Sequence, residues 1–560
     1  MPKPPINPPV TTARAAALEA LRSAESGGLF LRDHLHAVFN RSTLDPRDRA
    51  LATQLATGTL RHRRTLRLVL SHVRGDSGRA TAIQPQLLAI LELGAFQLLF
   101  LDRVPAYAAV NEAVETARLT AAGPRGDKQA GFVNGVLRGV GRLIAGHDPD
   151  GTPARDALPH PDGGVMRLTA AVLPDPAESR AAFLGAAYSY SDWLVARWLD
   201  TLGDRTEEVL RWGNRRPRLF ARVNPMQAAQ GVRLPEAVTP GPRPGCVDVS
   251  DLPPDRLEEI LDRGTVTVQD PSAMAAVEAL APEAGEAVLD LCASPGTKTT
   301  QIVERMGDRG RVVACDRSEE KLVPLRITIT ARGLKSVTLR LAEEVTSRER
   351  ELAGTSDNNA PTASRERELA DTPDNNAPIS SRERELAGTS DAAMLAAVPP
   401  AMKRLGTRSI PPRKPSAARV ASAAEASAAS GEQPRPYGLG SERHGRGSEL
   451  PAAFDAVLVD APCSNTGVLA RRPEARWRLR PEDFAELAHR QGQLLDQAAA
   501  LVKPGGRLVY STCSLELDEN AAVIDAFLAA HPDFRRAGQE LTFPGPDHDG
   551  AFWARVERVG

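Results

Sequence analysis

The sequence predicts a multidomain chain: an all-α front end, a small α+β unit, and an α/β back end built on a mostly parallel, doubly wound sheet. Three observations predict it. Over residues 11–145 apolar side chains recur at spacings of three and four, as in AALEALRSA, LATQLATGTLRHRRTLRLVL and FVNGVLRGVGRLI, without β-branched runs. From about 181 to 275 a helical stretch, SDWLVARWLDTLG, is followed by short alternating segments, LFARVN and TVTVQD. After 285, apolar runs alternate with helical segments, the pattern of parallel strands covered on both faces.

In chain order, "DPRD" (Asp45 to Asp48) supplies a helix start, with Pro one position past the Asp. The Pro/Gly/Asp-rich stretch GHDPDGTPARDALPHPDGG (146–164) reads as a linker, which is extended to 146–180 between a front domain at 1–145 and a subdomain at 181–275. The back-end domain covers 276–560, with strands expected at 286–292, 311–316, 336–341, 454–460 and 505–511. More than 100 residues separate the third strand from the fourth. They contain "SRERELA" at Ser347, Ser364 and Ser381, a period of 17. Each copy offers one Leu and little else to bury, too little for a solenoid, so 345–450 reads as a disordered, low-complexity insertion.

Composition narrows the class. A chain of 560 residues with 42% hydrophobic content is globular, with room for about three cores. Its five cysteines have no CxxC spacing, which argues against a disulfide framework or a structural zinc and for a reducing cytosol. MPKPPINPPVTT has no apolar core of a secretory signal. The most apolar run, Leu87 to Leu101, contains Glu92 and Gln97 and is too short to span a bilayer, so no membrane partner is expected. The net charge of −1 conceals an asymmetry: residues 1–145 hold 19 Lys+Arg against 11 Asp+Glu, a net +8. A basic front end suits a polyanion, although a solvated helical surface explains the charge equally.

The chemistry concentrates at strand ends. The first back-end strand runs into DLCASPGTKT (Asp290 to Thr299), a strand–turn–helix passage that brings backbone N–H groups to a nucleotide-like ligand. It lacks the glycine pattern of NAD sites and the GK[ST] of ATP sites. Asp316 closes the second strand, where it either binds a ribose or caps the next helix. The fourth strand ends in DAPCS, with Asp460 and Cys463, and the fifth in STCS, with Cys513. Adjacent strands lie ~5 Å apart, so both thiols are within reach of one planar substrate. An Asp, a thiolate and a nucleotide-like cofactor suit methylation of cytosine C5: the thiolate adds to C6 and makes C5 nucleophilic towards a methyl sulfonium. A free thiol has a pKa of ~8.5, so the site must favour the thiolate.

VLDLCASPGTKT, DAPCSNTGVLARRPEARW and YSTCSLELDEN resemble motifs of the RNA cytosine-C5 methyltransferases, the NOL1/NOP2/Sun family. DPRDRALATQLATGTLRHR, LELGAFQLLFLDRVPAYAAVNEAVETA and GFVNGVLRGVGR resemble the NusB-like RNA-binding domain of its bacterial RsmB/Sun branch, which acts on 16S ribosomal RNA. RPRLFARVNP and VQDPSAM resemble that branch's RRM-like subdomain, and DGAFWARV its closing strand. The likeness covers nearly all of the chain outside the linker and the insertion. It implies a Rossmann-like class I methyltransferase domain. It also divides the labour: Cys513 is the nucleophile, Cys463 assists release of the product, and Asp460 holds the N3/N4 edge of the cytosine and borders the cofactor. Cys292, Ala293, Ser294, Pro295, Gly296, Thr297, Lys298 and Asp316 are expected to bind S-adenosyl-L-methionine.

The family usually has a second Gly where Thr297 stands and commonly a Gly where Asn465 stands; neither residue is expected to touch a reacting group. An Asp expected near the adenine is replaced at best by Glu343. The resemblance implies an active cytoplasmic, monomeric enzyme with 16S ribosomal RNA as partner and no metal. The PCQ motif of the DNA enzymes is absent, so DNA is not expected. A transfer-RNA methyltransferase and a non-enzymatic RNA-binding protein are the alternatives. Aromatic residues are scarce, and Trp477 is the only one close to the site motifs; its ordinary role would be core packing.

Overall fold

The computed structural model describes residues 12–25, 30–75, 83–121, 123–346 and 451–560. The insertion expected at 345–450 lies outside the described residues apart from Val345 and Thr346.

The front end is helical: α1 (Ala13–Glu25), α2 (Leu31–Asn40), α3 (Pro46–Arg61), α4 (Arg63–Arg74), α5 (Pro85–Phe100), α6 (Ala106–Leu119) and α7 (Pro124–Leu143). The start of α3 follows from its sequence. The Asp45 side chain accepts the Asp48 N–H at 2.8 Å, and Pro46 occupies the first position, where its missing N–H costs nothing. Helix α5 is buried along almost its whole length. Its two buried polar residues are satisfied inside: Glu92 pairs with Arg67 at 2.5 Å and Arg63 at 3.4 Å, and Gln97 accepts from Arg14 Nε at 2.7 Å.

The span expected as a linker, 146–180, is folded. Strands β1 (Ile144–Asp148), β2 (Ala157–Pro159) and β3 (Val165–Leu168) form an antiparallel sheet in the order β1-β3-β2. Of the apolar residues of this turn-rich segment, Leu158, Met166, Leu168 and Leu173 enter the same core as the front helices. Helices α8 (Arg180–Tyr188), α9 (Asp192–Thr201) and α10 (Arg205–Asn214) join that core through Phe183, Leu194, Trp198 and Leu210. By packing, then, the first part of the expected 181–275 subdomain belongs with the front end.

The small α+β unit is a four-stranded antiparallel sheet of β4 (Phe220–Val223), β5 (Thr239–Pro240), β6 (Cys246–Asp248) and β7 (Val266–Val268), in the order β5-β6-β4-β7. The short helix α11 (Pro225–Ala228) follows β4, and α12 (Pro254–Asp262) packs Ile260 into the core beneath this sheet. Helix α13 (Pro271–Leu280) runs straight across the boundary expected at 275/276.

The back end is α/β, as expected. β8 (Ala287–Asp290), α14 (Thr297–Arg305), β9 (Arg311–Asp316), α15 (Glu319–Arg332), β10 (Val337–Leu341), β11 (Phe454–Asp460), β12 (Val502–Thr512), β13 (Phe534–Thr542) and β14 (Ala551–Arg558) build a sheet ordered β10-β9-β8-β11-β12-β14-β13. Pairs from β10 to β12 are parallel; β14 runs antiparallel to both β12 and β13. Val288, Leu458 and Val509 of the central strands are fully buried, which is why these strands read as continuous apolar runs. No described helix is long and apolar enough to cross a membrane.

Candidate active site

The strand order reverses between β8 and β11: from β8 the chain winds outwards to β9 and β10, and from β11 towards β12. Open α/β sheets take their ligands in the crevice outside the carboxyl ends at such a point. A cleft of about 370 Å³ opens there, with Cys292, Ser294, Lys298, Asp316, Asp460, Cys463 and Cys513 in its walls. Ala293, Pro295, Gly296 and Thr297 form the back of the turn and are not among those walls.

That turn is shaped by Gly296, which precedes α14 with φ of +108°. A Cβ there would sit 2.4 Å from Leu325 Cδ1, so the position tolerates only glycine. Thr297 is buried behind it, its carbonyl accepting from Arg222 Nη1 at 3.2 Å. Asp316 accepts the Ser294 N–H at 3.1 Å and the Arg317 N–H at 2.8 Å, with Lys321 Nζ 3.6 Å away. It does not cap α15, whose N-cap residue is Ser318. Asp290 is fully buried. One of its oxygens accepts from Thr299 Oγ1 at 2.7 Å while the other has no partner among the described residues. Burial, reinforced by the negative charge of Asp460, pushes its carboxyl up to about 7.

Strands β11 and β12 pair in a register that sets Asp460 against Ser511. The two motifs therefore leave the sheet at the same level. Asp460 is anchored on both oxygens, by Lys298 Nζ at 2.7 Å and by Ser511 Oγ at 2.7 Å. Just beyond, the Cys463 and Cys513 sulfurs lie 3.1 Å apart, and the Cys513 N–H points at Cys463 Sγ at 3.3 Å. Their settings differ. Cys463 is only 4% exposed, whereas Cys513 is half-buried at the cleft wall. The hydrogen bond with Cys513, together with burial, raises the Cys463 thiol well above its ordinary range. Cys246 and Cys315 are buried elsewhere in the two sheets.

Three features escape the sequence reading. Glu519 is buried and ties the two cysteine loops together: it accepts the Ser464 N–H at 2.9 Å, Ser514 Oγ at 2.6 Å and Gln491 Nε2 at 3.0 Å. Its place in YSTCSLELDEN was visible, but its partners are not readable along the chain. Asn465, expected to touch no reacting group, does touch one: its Oδ1 accepts from the Cys513 thiol at 3.3 Å. Its φ of +63° explains why glycine suits this position, and asparagine is among the few other residues that tolerate it. Finally, α2 of the front end reaches the cleft, where Phe30, Arg32, Asp33 and His36 join the walls. Glu343 is exposed and is not among the walls, although its neighbour Ala342 is. Trp477 is partly buried against the front core and donates to the Leu60 carbonyl at 3.3 Å.

A mostly parallel seven-stranded sheet with its crevice at this reversal, behind a helical domain, defines a Rossmann-like methyltransferase with a helical N-terminal domain. Residues 277–410 and 440–548 match the family model described as 16S rRNA methyltransferase RsmB/F, and residues 11–142 match the NusB family. The ribosomal RNA small subunit methyltransferase B of Klebsiella pneumoniae is 26% identical over 561 residues, covering 97% of each chain. The Mycobacterium tuberculosis protein Rv1407 is 31% identical over 538 residues, 94% of this chain and 88% of that one. The crystal structure of PH0851 shares the fold with a TM-score of 0.60 at 20% identity, covering 98% of both chains. The chain belongs to the RsmB/F family of 16S rRNA methyltransferases.

Proposed function

We propose that this chain methylates C5 of a cytosine in 16S ribosomal RNA, with S-adenosylmethionine as methyl donor and a transient bond between Cys513 and ring carbon C6. The observation that carries the reading is the pair of sulfurs 3.1 Å apart at neighbouring strand ends, of which only Cys513 is half open to the cleft shared with Asp460. A nucleophile must be accessible, and a partner that acts only on it need not be. The 16S substrate is supported by relatives such as the Klebsiella protein, whose name specifies the small ribosomal subunit.

The residues present fit the cofactor. Asp290 keeps a buried oxygen with no partner among the described residues, and Asp316 holds a carboxylate at the end of β9 for a ribose. S-adenosylmethionine, when bound, supplies an electrophilic methyl group. Asp460, steadied by Lys298 and Ser511, accepts from the cytosine N4–H and favours a proton on N3, which draws electron density away from C6. Cys513 gives up its thiol proton to N3 as its sulfur bonds to C6, and the displaced C5–C6 electron pair becomes the nucleophile that takes up the methyl; the N3 proton passes to solvent when the ring is restored. Loss of the C5 proton restores the double bond and expels the Cys513 thiolate. Cys463, held as a thiol beside it, passes its proton to the departing sulfur and is restored by the proton from C5.

Labelled S-adenosylmethionine with protein-free 16S RNA or bulk transfer RNA tests this reading. The expected result is 5-methylcytosine in the 16S RNA alone, abolished by Cys513→Ala. Label on another atom, or in transfer RNA instead, would overturn it.

A further inference from the structure

The cleft wall holds several arginines, some of which form no ion pair among the described residues. Arg32, on the first turn of α2, lines the cleft, and its Nη2 is buried with no hydrogen-bond partner among the described residues. No ion pair joins it to a carboxylate among the described residues. The adjacent Asp33 is exposed and already accepts the Phe30 N–H at 3.1 Å as part of its own helix start. Burial foremost, with the charges of Arg472 and Arg471, brings the Arg32 guanidinium down to about 10. Arg471 is spoken for, bridging Asp270 at 2.8 Å and Asp549. Arg472 forms no ion pair among the described residues, although its charge acts on the buried Glu474 carboxyl in the same wall. It donates to Asn465 Oδ1 at 3.2 Å and lies over the Phe30 ring, 5.1 Å from its centre. Arg490, on the helix Asp483–Ala500, lines the same cleft, again without an ion pair among the described residues.

A partly buried guanidinium without an anion is costly in the free protein and inexpensive once an anion arrives. Here such groups come from separate segments of the chain and converge beside the half-open thiol. Arginine forks match phosphate oxygens in geometry as well as charge. We propose that Arg32, Arg472 and Arg490 form a track for the backbone phosphates flanking the target nucleotide, so that α2 of the helical domain completes the RNA site of its own catalytic domain. The basic front end thus acts at the cleft as well as through general attraction. This rests on the reading of the cleft as an RNA methylation site, and its test does not need methyl transfer.

Full-length chain is titrated against a protein-free 16S RNA transcript and against oligocytidylate over a series of salt concentrations. Arg32→Gln and Arg490→Gln are each expected to weaken binding about three- to ten-fold at low salt. Each should also reduce the slope of log K against log salt by about 0.7 for a single-stranded site. Arg32→Lys, which keeps the charge, should retain the slope. Arg536→Gln, on β13 and paired with Asp525, removes the same charge away from the cleft walls and should change neither quantity. If the cleft variants match Arg536→Gln, or if Arg32→Lys loses the slope as fully as Arg32→Gln, the track is wrong. Absence of 5-methylcytosine with reduced slopes would sink the proposed reaction and leave the track standing. Methylation with unaltered slopes would do the reverse.

Discussion

Replacing Cys463 with alanine separates bond formation from release. The side chain is 4% exposed, so the variant loses one sulfur from a packed site. That costs about 1 kcal/mol, little enough for the fold to persist. The chemical cost is larger. Cys463 is the thiol at 3.1 Å from the Cys513 sulfur, and proton transfer by a positioned group contributes about 100- to 10,000-fold, or roughly 3–5 kcal/mol. Asp460 and its two donors are untouched, so bond formation should continue while release slows. If formation and release are balanced in the native enzyme, a 100-fold slower release leaves about 99% of the active chains attached to RNA. The assay is a denaturing gel of enzyme incubated with labelled RNA and S-adenosylmethionine. A retarded band should appear in Cys463→Ala and vanish in the Cys463→Ala/Cys513→Ala double variant. No band in the single variant, or a band in Cys513→Ala with Cys463 intact, would refute the assigned roles.

Other expectations concern single residues. Asn465→Gly suits a φ of +63° and removes the acceptor facing the Cys513 thiol. A lost hydrogen bond of about 1 kcal/mol should raise the alkylation rate of that thiol roughly five-fold at neutral pH; an unchanged rate would show that Asn465 does not restrain it. Asp290 has its carboxyl raised to about 7 by burial, so it stabilises the fold fully below its unfolded pKa and loses that stabilisation as pH rises through about 7. Between pH 5 and pH 8 this amounts to about 2–3 kcal/mol, which Asp290→Asn should remove, flattening the pH dependence of the urea midpoint. Arg476 is fully buried without an ion pair among the described residues, donating to Asn214 Oδ1 at 2.8 Å and the Gly213 carbonyl at 2.9 Å and stacking on Tyr190 at 3.9 Å. Arg476→Ala should lower unfolding stability by about 3–5 kcal/mol, and a loss below 1 kcal/mol would show that its neighbours close over the gap.

What could be read from the sequence follows how local each determinant is. The strands at 311–316 and 454–460 are visible because an apolar run and the acidic residue that ends it are contiguous. The meeting of Cys463 with Cys513 is legible for the same reason: each thiol follows its strand by a fixed number of residues, and register does the rest. The segment 146–180 misleads because turn residues dominate its composition, while four of its buried apolar side chains find their core among the front-end helices, distant in sequence. Glu519 is hidden in another way. One partner, Ser514, is five residues away, but Gln491 and Ser464 are 28 and 55 residues away, so its role as a clamp exists only once β12 and its flanking loops are assembled.

Asn465 shows the limit most sharply. Comparison with a family that favours glycine there reports only that the backbone must be left-handed, and asparagine meets that demand. The consequence of having a side chain at all, an amide between the Cys513 thiol and the Arg472 guanidinium, appears only in three dimensions. That amide links the sulfur proposed to attack the base with an arginine proposed to hold its phosphate. A chain with asparagine here should therefore couple RNA binding to thiol reactivity. Arg472→Gln should alter the Cys513 alkylation rate in the native enzyme and leave it unchanged in an Asn465→Gly background. Equal effects in both backgrounds would mean that the amide transmits nothing.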